Sequence, residues 1–179
     1  MISSSIFLEK SRYYLATEYP SKIRLAVAGL SYDDVWRRAN EESNSIGNLI
    51  VHLAGNIRQW IVAGIGGEPS ERDRAAEFAV RDGPKTHELL SLLDAAVRDA
   101  DRVLASLADN DLVAERTIQG RDTTVLAALY HVVEHFSMHT GQIVMLAKMY
   151  SPGSVRFYDD AAGKAVPLWG GSEGMTPSK

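Results

Sequence analysis

The chain has 179 residues, of which 45% are hydrophobic, and this is enough for one domain with a proper core. Its net charge is −4 and its basic residues are scattered, so we expect no nucleic acid among its partners. The absence of cysteine excludes disulfides, thiolate metal sites and cysteine nucleophiles.

The N-terminal residues lack the basic and apolar pattern of a signal peptide, and no segment reaches the roughly eighteen apolar residues of a membrane span. We therefore expect a cytoplasmic protein without membrane contact. The first predicted helix covers about residues 5–29, and Pro20 should kink or divide it because proline lacks an amide donor. Ser31 followed by Asp34 then has the pattern of a short helix start.

The second predicted helix runs from about residue 45 to residue 65, with Ser43 or Asn44 as its cap and a Gly-Gly pair at its end. One face carries polar or aromatic side chains in steps of four residues: Asn48, His52, Asn56 and Trp60. A buried polar side chain without a hydrogen bond costs about 1–3 kcal/mol. This face therefore predicts either a polar pocket or structural bonds to a neighbouring loop.

Residues 68–82 are rich in charge and predict a long, mobile crossover with a solvated surface. The third helix is predicted to begin near Gly83 and Pro84 and to continue on apolar residues at core spacing. His87 lies at the exposed start of this helix, away from its apolar face. This position excludes it from the candidate site.

Residues 108–122 predict a loop with a short extended piece at 115–118. Asp122 or Thr123 is then expected to cap a fourth helix that reaches about Tyr150. Four long amphipathic segments, without an alternating strand run or an internal repeat, predict an all-α protein, most simply a four-helix bundle.

The C-terminal segment from residue 155 onwards combines aromatic residues with glycine and proline. We expect it to be an irregular tail that docks on the bundle, with residues 170–179 frayed. Residues 1–179 are thus interpreted as a single domain.

Three of the five histidines lie four residues apart in the fourth helix: His131, His135 and His139. Residues four apart share a helix face, and such a pair can place two ring nitrogens about 2.0–2.1 Å from one metal ion. The outer two are roughly 12 Å apart along the axis and cannot share an ion. A single centre would therefore use His135 with either neighbour and a further ligand, for which His52 is the best supplier. A row of hydrogen-bonded or solvated histidines is the alternative, but a histidine on a second apolar helix favours metal.

Two segments together resemble the DinB-like superfamily, in particular a branch of small bacterial four-helix-bundle metal-binding proteins: residues 44–60 (NSIGNLIVHLAGNIRQW) and residues 131–143 (HVVEHFSMHTGQI). The resemblance covers essentially the whole chain. It implies an up-down-down-up bundle, usually dimeric, with a divalent metal bound by one histidine of the second helix and a His-x-x-x-His pair of the fourth. Matched to the family motif, which places the pair just before Thr-Gly-Gln, the ligands are His52, His135 and His139.

With these ligands, His131 becomes a pocket residue or one that lies behind the ligands. On ideal helices, Asn56 and Trp60 lie one and two turns beyond His52, and Gln142 lies three residues beyond His139, so we expect all three to line one end of the site. The resemblance assigns no catalytic residue, and Glu134 is expected at the surface or behind a ligand. Partners implied are a small-molecule substrate, such as a low-molecular-weight thiol, and a second copy of the chain in a homodimer.

Some superfamily relatives are thiol-dependent S-transferases or isomerases, so we expect a metal-dependent enzyme that resembles a thiol S-transferase or a hydrolase. Three neutral ligands would leave a divalent ion, zinc ahead of nickel, its full charge, which can lower the pKa of a bound water to about 7 or bind a thiol as thiolate. The alternative is a non-catalytic metal-binding or stress-response module with a structural metal. A serine hydrolase comes third, because no Gly-x-Ser-x-Gly motif occurs.

Overall fold

Helices make up most of the structure, a computed structural model that describes residues 2–159, 163 and 165–169. The α-helices are α1 (Ile2–Tyr13), α2 (Tyr19–Val27), α3 (Tyr32–Trp36), α4 (Ile46–Ile57), α5 (Arg74–Ala79), α6 (Thr86–Ala105) and α7 (Val125–Tyr150). The short strands are β1 (Glu115–Ile118), β2 (Arg121–Thr124), β3 (Tyr158–Asp159) and β4 (Val166–Pro167).

The first helical segment continues through Pro20 and changes type just before it. A π-helical turn, Tyr14–Glu18, joins α1 to α2. Pro20 lies in the first turn of α2, where the missing amide hydrogen removes no bond of that helix. The predicted division at Pro20 therefore takes the form of a change in helix type.

The N-terminal caps of α3 and α4 are each made by a pair of reciprocal hydrogen bonds. Ser31 and Asp34 form the predicted capping box at α3. The cap of α4 is Ser45, so the prediction of Ser43 or Asn44 is wrong. The Ser45 hydroxyl accepts from the Asn48 amide at 3.1 Å, and Asn48 Oδ1 accepts from the Ser45 amide at 3.1 Å. Only Ser45 has a partner three residues ahead that can return the bond.

The charged crossover 68–82 differs from its prediction. It contains α5, capped by Asp73, and the side chains of Arg72 and Glu77 are buried in it. The predicted solvated surface is thus wrong for these two residues, because their opposite charges pair and allow both to leave water. After the crossover, α6 starts at Thr86, slightly later than predicted.

A small hairpin precedes α7. The predicted extended piece 115–118 is confirmed as β1, which pairs antiparallel with β2 from Glu115↔Thr124 to Ile118↔Arg121. Because β2 takes up Asp122 and Thr123, neither of them caps α7 as predicted. The hydroxyl of Thr124 accepts from the Ala127 amide at 3.2 Å and makes that cap.

The core lies where α4 packs against α6 and α7, and where α2 packs against α7. Ile50, Leu53, Leu89 and Phe136 are fully buried there, and each buried side chain of this size contributes about 1.5–3 kcal/mol. This packing holds one face of α4 directly against one face of α7. The histidines lie on these two faces.

The C-terminal part contains a second short pair of strands, with Tyr158 opposite Pro167. Trp169 contacts the ring of Tyr158, and Lys22 Nζ lies 4.4 Å from the centre of the Trp169 ring. Residues 170–179, which were expected to fray, lie outside the described residues. Among the described helices, none combines the length and the apolar character needed to cross a membrane.

Candidate metal centre

Three histidines from α4 and α7 converge on one point. The Nε2 atom of His52 lies 3.0 Å from Nε2 of His135, which lies 3.2 Å from Nε2 of His139. All three ligand atoms lie within 4.8 Å of one another. Spacing alone allowed His135 to pair with either neighbour. The structure brings His139, and not His131, together with His52 and His135 as a group that could hold a metal ion.

The hydrogen-bond partners of the Nδ1 atoms determine whether the converging Nε2 atoms carry lone pairs. Nδ1 of His52 lies 2.8 Å from the Glu77 carboxylate, and Nδ1 of His139 lies 2.7 Å from the Gln142 side-chain oxygen. Both partners are acceptors, so each Nδ1 donates its hydrogen to that oxygen. Arg72 Nη2 also lies 3.0 Å from His52 Nδ1, but it donates to the Glu77 carboxylate at the shorter distance of 2.7 Å. The Nε2 atoms of His52 and His139 therefore present lone pairs toward His135. Two lone pairs aimed at a third ring nitrogen fit a cation between them, so the donor set suits a metal ion.

His135 and His139 are held in the neutral form that binds metal. Burial, followed by the charges of the neighbouring histidines and Arg72, lowers the pKa of His135 to about 3. Burial also lowers the pKa of His139, against the opposing effect of its bond to Gln142. Desolvation disfavours the imidazolium form. Protons therefore compete weakly for these nitrogens near neutral pH.

A buried ion pair lies behind His52. Arg72 Nε donates to Glu77 Oε1 at 2.6 Å, and Arg72 Nη2 donates to Oε2 at 2.7 Å. Burial raises the pKa of Glu77, but hydrogen bonds from Arg72 and His52 outweigh burial and lower it overall. Glu77 is therefore a carboxylate and accepts from His52. Sequence reasoning missed both residues, because 25 residues separate Glu77 from His52 and no spacing rule joins them.

The residues expected around the metal lie at different places. The Trp60 and His131 rings are in contact, with centres 4.4 Å apart, and the His131 and His135 rings are 5.6 Å apart. Gln142 contacts His139 instead, so Trp60 and Gln142 lie at opposite ends of the histidine row. Burial is the main reason that the pKa of His131 is lowered.

The remaining polar residues of α4 and α7 have distinct environments. Asn56 is buried, and its Oδ1 has no hydrogen-bond partner among the described residues. Asn48 makes structural bonds instead, donating to the carbonyls of Glu77 at 2.9 Å and Val80 at 3.0 Å. Glu134 is exposed on α7.

Comparison with known proteins identifies the family. A family model described as "Protein of unknown function (DUF1572)" matches residues 3–158. The chain belongs to this family. The matched range includes both α4 and α7, and therefore all three histidines of the DUF1572 site. Among curated proteins, no match is found.

Two solved structures are similar to this DUF1572 chain. A conserved protein from Enterococcus faecalis has a TM-score of 0.65 and 16% identity, and the alignment covers 79% of this chain and 95% of that one. A DinB-like protein, YjoA, from Bacillus subtilis has a TM-score of 0.61 and 21% identity, with 84% and 97% covered. The resemblance to the DinB-like superfamily is thus confirmed at the level of the fold.

Proposed function

We propose that this DUF1572 protein binds one divalent metal ion through His52, His135 and His139, and that the ion is catalytic. The convergence of three ring nitrogens, two of them with their hydrogens directed away, is the observation that supports this function. Zinc is the proposed ion and nickel the alternative, because imidazole suits both and no thiolate is present.

The proposed chemistry acts on a small molecule, as in a thiol S-transferase or a hydrolase. Three neutral protein ligands are typical of catalytic zinc sites, where the bound ion supplies Lewis acidity to a substrate or to water. His131 is the nearest further ring to His135, and its lowered pKa keeps it neutral and able to accept a proton. Glu77 and Arg72 bring no net charge, so the charge of the ion stays available to the substrate.

Metal analysis of the untagged protein tests the premise. We expect about one equivalent of divalent metal per chain in the wild type. His135→Ala should lose stoichiometric metal, whereas the matched control His87→Ala, at an exposed position on α6, should keep it. Full metal content in the His135 variant would remove the assignment.

A structural metal is the second candidate. The burial of His52 and His139 favours it, because an ion there would mainly tie α4 to α7. X-ray absorption of the zinc protein separates the two. Three histidines plus an exchangeable light ligand support catalysis, whereas a fourth protein ligand supports a structural or stress-response module.

We also infer that α1 with α2, α4, α6 and α7 form the four members of an up-down-down-up bundle in one domain, residues 1–179. The packing of α4 against α6 and α7, and of α2 against α7, supports this arrangement. The contact of Lys22 with Trp169 supports docking of the C-terminal segment on the bundle.

A homodimer is the proposed assembly. Several apolar side chains of α7 are exposed and could be covered by a second copy: Leu126, Tyr130, Met138, Met145 and Met149. Sedimentation at micromolar concentration should give twice the mass of the chain. A clean monomer would remove the dimer and leave the metal site standing.

A further inference from the structure

We propose that Glu77, clamped by Arg72, is the positioning residue of the metal ligand His52, and that Gly55 exists at its position to make room for this pair. The inference deepens the proposed function and rests on it. It adds the α5 segment, outside the two helices that carry His52, His135 and His139, to the parts of the chain that the metal centre requires.

The burial of the Arg72–Glu77 pair is unusual within the described chain. Its side chains are only 6% and 8% exposed, whereas in the next most buried pair of a lysine or arginine with a carboxylate, Lys22–Glu18, they are 23% and 17% exposed. Burying two charges costs several kcal/mol per ion, and apolar residues often stabilise a protein as well or better. Fold stability is therefore a weak reason for this pair, and its contact with His52 supplies a better one.

The hydrogen bonds from Arg72 orient the Glu77 carboxylate toward His52. Two parallel bonds from Arg72 fix both oxygens of Glu77, and Arg72 Nη1 donates to Gln59 Oε1 at 2.8 Å, which anchors the guanidinium to the helical segment after α4. Both oxygens are thus engaged, and this orientation places Oε2 2.8 Å from His52 Nδ1. This contact keeps the hydrogen on Nδ1 and the lone pair on Nε2, as carboxylate partners of metal-binding histidines do.

The absence of a side chain at Gly55 leaves the space in which Arg72 and Glu77 pack against α4. A Cβ atom at this position would overlap Glu77 Oε1 and lie 2.9 Å from Arg72 Nε. Gly55 lies three residues after His52, inside α4, where glycine costs up to about 1 kcal/mol relative to alanine. The cost is explained if the space serves the ion pair.

The charges of the pair determine how each substitution acts. Glu77→Gln leaves Arg72 buried without its anion and beside a divalent ion, so the variant gains repulsion. Its one remaining oxygen must also serve both Arg72 and His52, and its amide N–H groups cannot accept from the His52 ring. Outer partners of metal ligands typically change metal affinity by about ten- to a hundredfold. The matched control is Glu18→Gln, which removes the carboxylate of the Lys22 pair on another part of the chain.

The test combines zinc affinity, by competition with a chelator, and ring-nitrogen NMR of the metal-free protein at neutral pH. We expect Glu77→Gln to weaken zinc binding about ten- to a hundredfold, and Glu18→Gln to leave it unchanged. NMR of metal-free wild type should show His52 with its hydrogen on Nδ1, and Glu77→Gln should lose this preference. A change in tautomer separates positioning from a general loss of stability.

A second variant keeps every polar group of the clamp. Gly55→Ala should displace the pair and weaken zinc binding in the same direction, whereas Gly141→Ala, whose added Cβ meets nothing within 4 Å, should not. This variant decides the question if Glu77→Gln does not fold.

A failure of the positioning role and a failure of the proposed metal function would give different results. Wild-type zinc affinity in both Glu77→Gln and Gly55→Ala, or His52 with its hydrogen on Nε2 in the metal-free wild type, would overturn the positioning role. A wild type that binds no zinc, yet has the Nδ1 hydrogen on His52 that Glu77→Gln loses, would instead refute the proposed metal function and retain the role of Glu77 toward the ring.

Discussion

The two sides of the histidine cluster use their polar atoms differently. On the Glu77 side, formed by His52, Arg72 and Glu77, hydrogen bonds between 2.6 and 2.8 Å hold the ring and the carboxylate in place. The His131 side consists of the contacting rings of His131 and Trp60, together with Asn56, which lies on α4 four residues before Trp60. There, within the described residues, Asn56 Oδ1 is buried without a partner, as is Nδ1 of the adjacent His135.

The Glu77 side is thus held by hydrogen bonds within the chain, whereas the His131 side has polar atoms that remain available for other partners. A buried oxygen without a hydrogen bond costs about 1–3 kcal/mol, and Asn56 Oδ1, which has no partner among the described residues, can accept from water or from a bound molecule. We infer that the Glu77 side sets the geometry of the ligands, while a substrate or water would enter from the His131 side.

The largest effect expected from this comparison is on metal content. His52→Ala should lose stoichiometric metal, because it removes a ligand, whereas His131→Ala should keep about one equivalent because its ring lies beyond His135. Elemental analysis of the two purified variants measures this. Loss of metal in the His131 variant would show that both sides contribute to metal binding, and would contradict the difference between them.

Two asparagines on α4 provide the next effect. Asn48→Ala should lower the free energy of unfolding by about 2–3 kcal/mol, because it removes the side-chain oxygen that accepts from the Ser45 amide and the bonds that the side chain donates to two carbonyls. Asn56→Leu removes an oxygen that has no described partner, so it should leave the free energy of unfolding unchanged or raise it. Urea unfolding of the metal-free proteins compares them. Equal destabilisation would show that Asn56 also has a structural partner.

The pH dependence of metal-free stability is a smaller, continuous effect. The folded pKa of His135, about 3, is below its ordinary value of 6.5, so an unfolded chain binds its proton more readily. The stabilising contribution is present above pH 6.5 and is lost as pH falls toward 3, by at most about 1.4 kcal/mol per pH unit for one proton. Glu77, whose pKa is also lowered, adds to the loss below its ordinary value of 4.5.

Unfolding curves at a series of pH values should therefore show decreasing stability between pH 6.5 and 4, and His135→Gln should flatten this slope. The Gln variant removes the titrating ring and keeps a polar side chain. An unchanged slope in this variant would assign the pH dependence to other groups.

The smallest expected signal is optical. Trp60 contacts His131, so a small molecule on the His131 side should change the indole fluorescence, and Trp60→Phe should abolish the change. We would titrate the cobalt-substituted protein with low-molecular-weight thiols and follow the sulfur-to-cobalt absorption in parallel. A charge-transfer band without any Trp60 response would place the entry route elsewhere.

The sequence predicts α4 and α7 well because their apolar residues repeat within a few turns, and this repetition also places the histidines on one face. The grouping of His52 with His135 and His139 followed from the family resemblance, since spacing left His131 open. Helix starts were displaced by one or two residues where a reciprocal bond, such as that of Ser45 with Asn48, decided the cap.

The role of the crossover 68–82 was not predictable in the same way. Each of its charged residues, considered alone, predicts a solvent-exposed surface. Only the fold shows that Arg72 and Glu77 neutralise each other behind His52. Likewise, β2 was missed because Asp122 and Thr123 suit a helix cap as well as a strand. Contacts between distant segments determine both outcomes.

The position of Arg72 gives the site a reporter that needs no knowledge of the substrate. Arg72 precedes α5 in an irregular stretch, where a trypsin-like protease would ordinarily cut, yet its side chain is 6% exposed and held by Glu77. Arg81, exposed at the other end of the crossover, provides the internal reference for cleavage. The ratio of the two cuts would therefore follow how often the clamp on His52 opens, and metal that stabilises His52 should slow cleavage at Arg72 selectively.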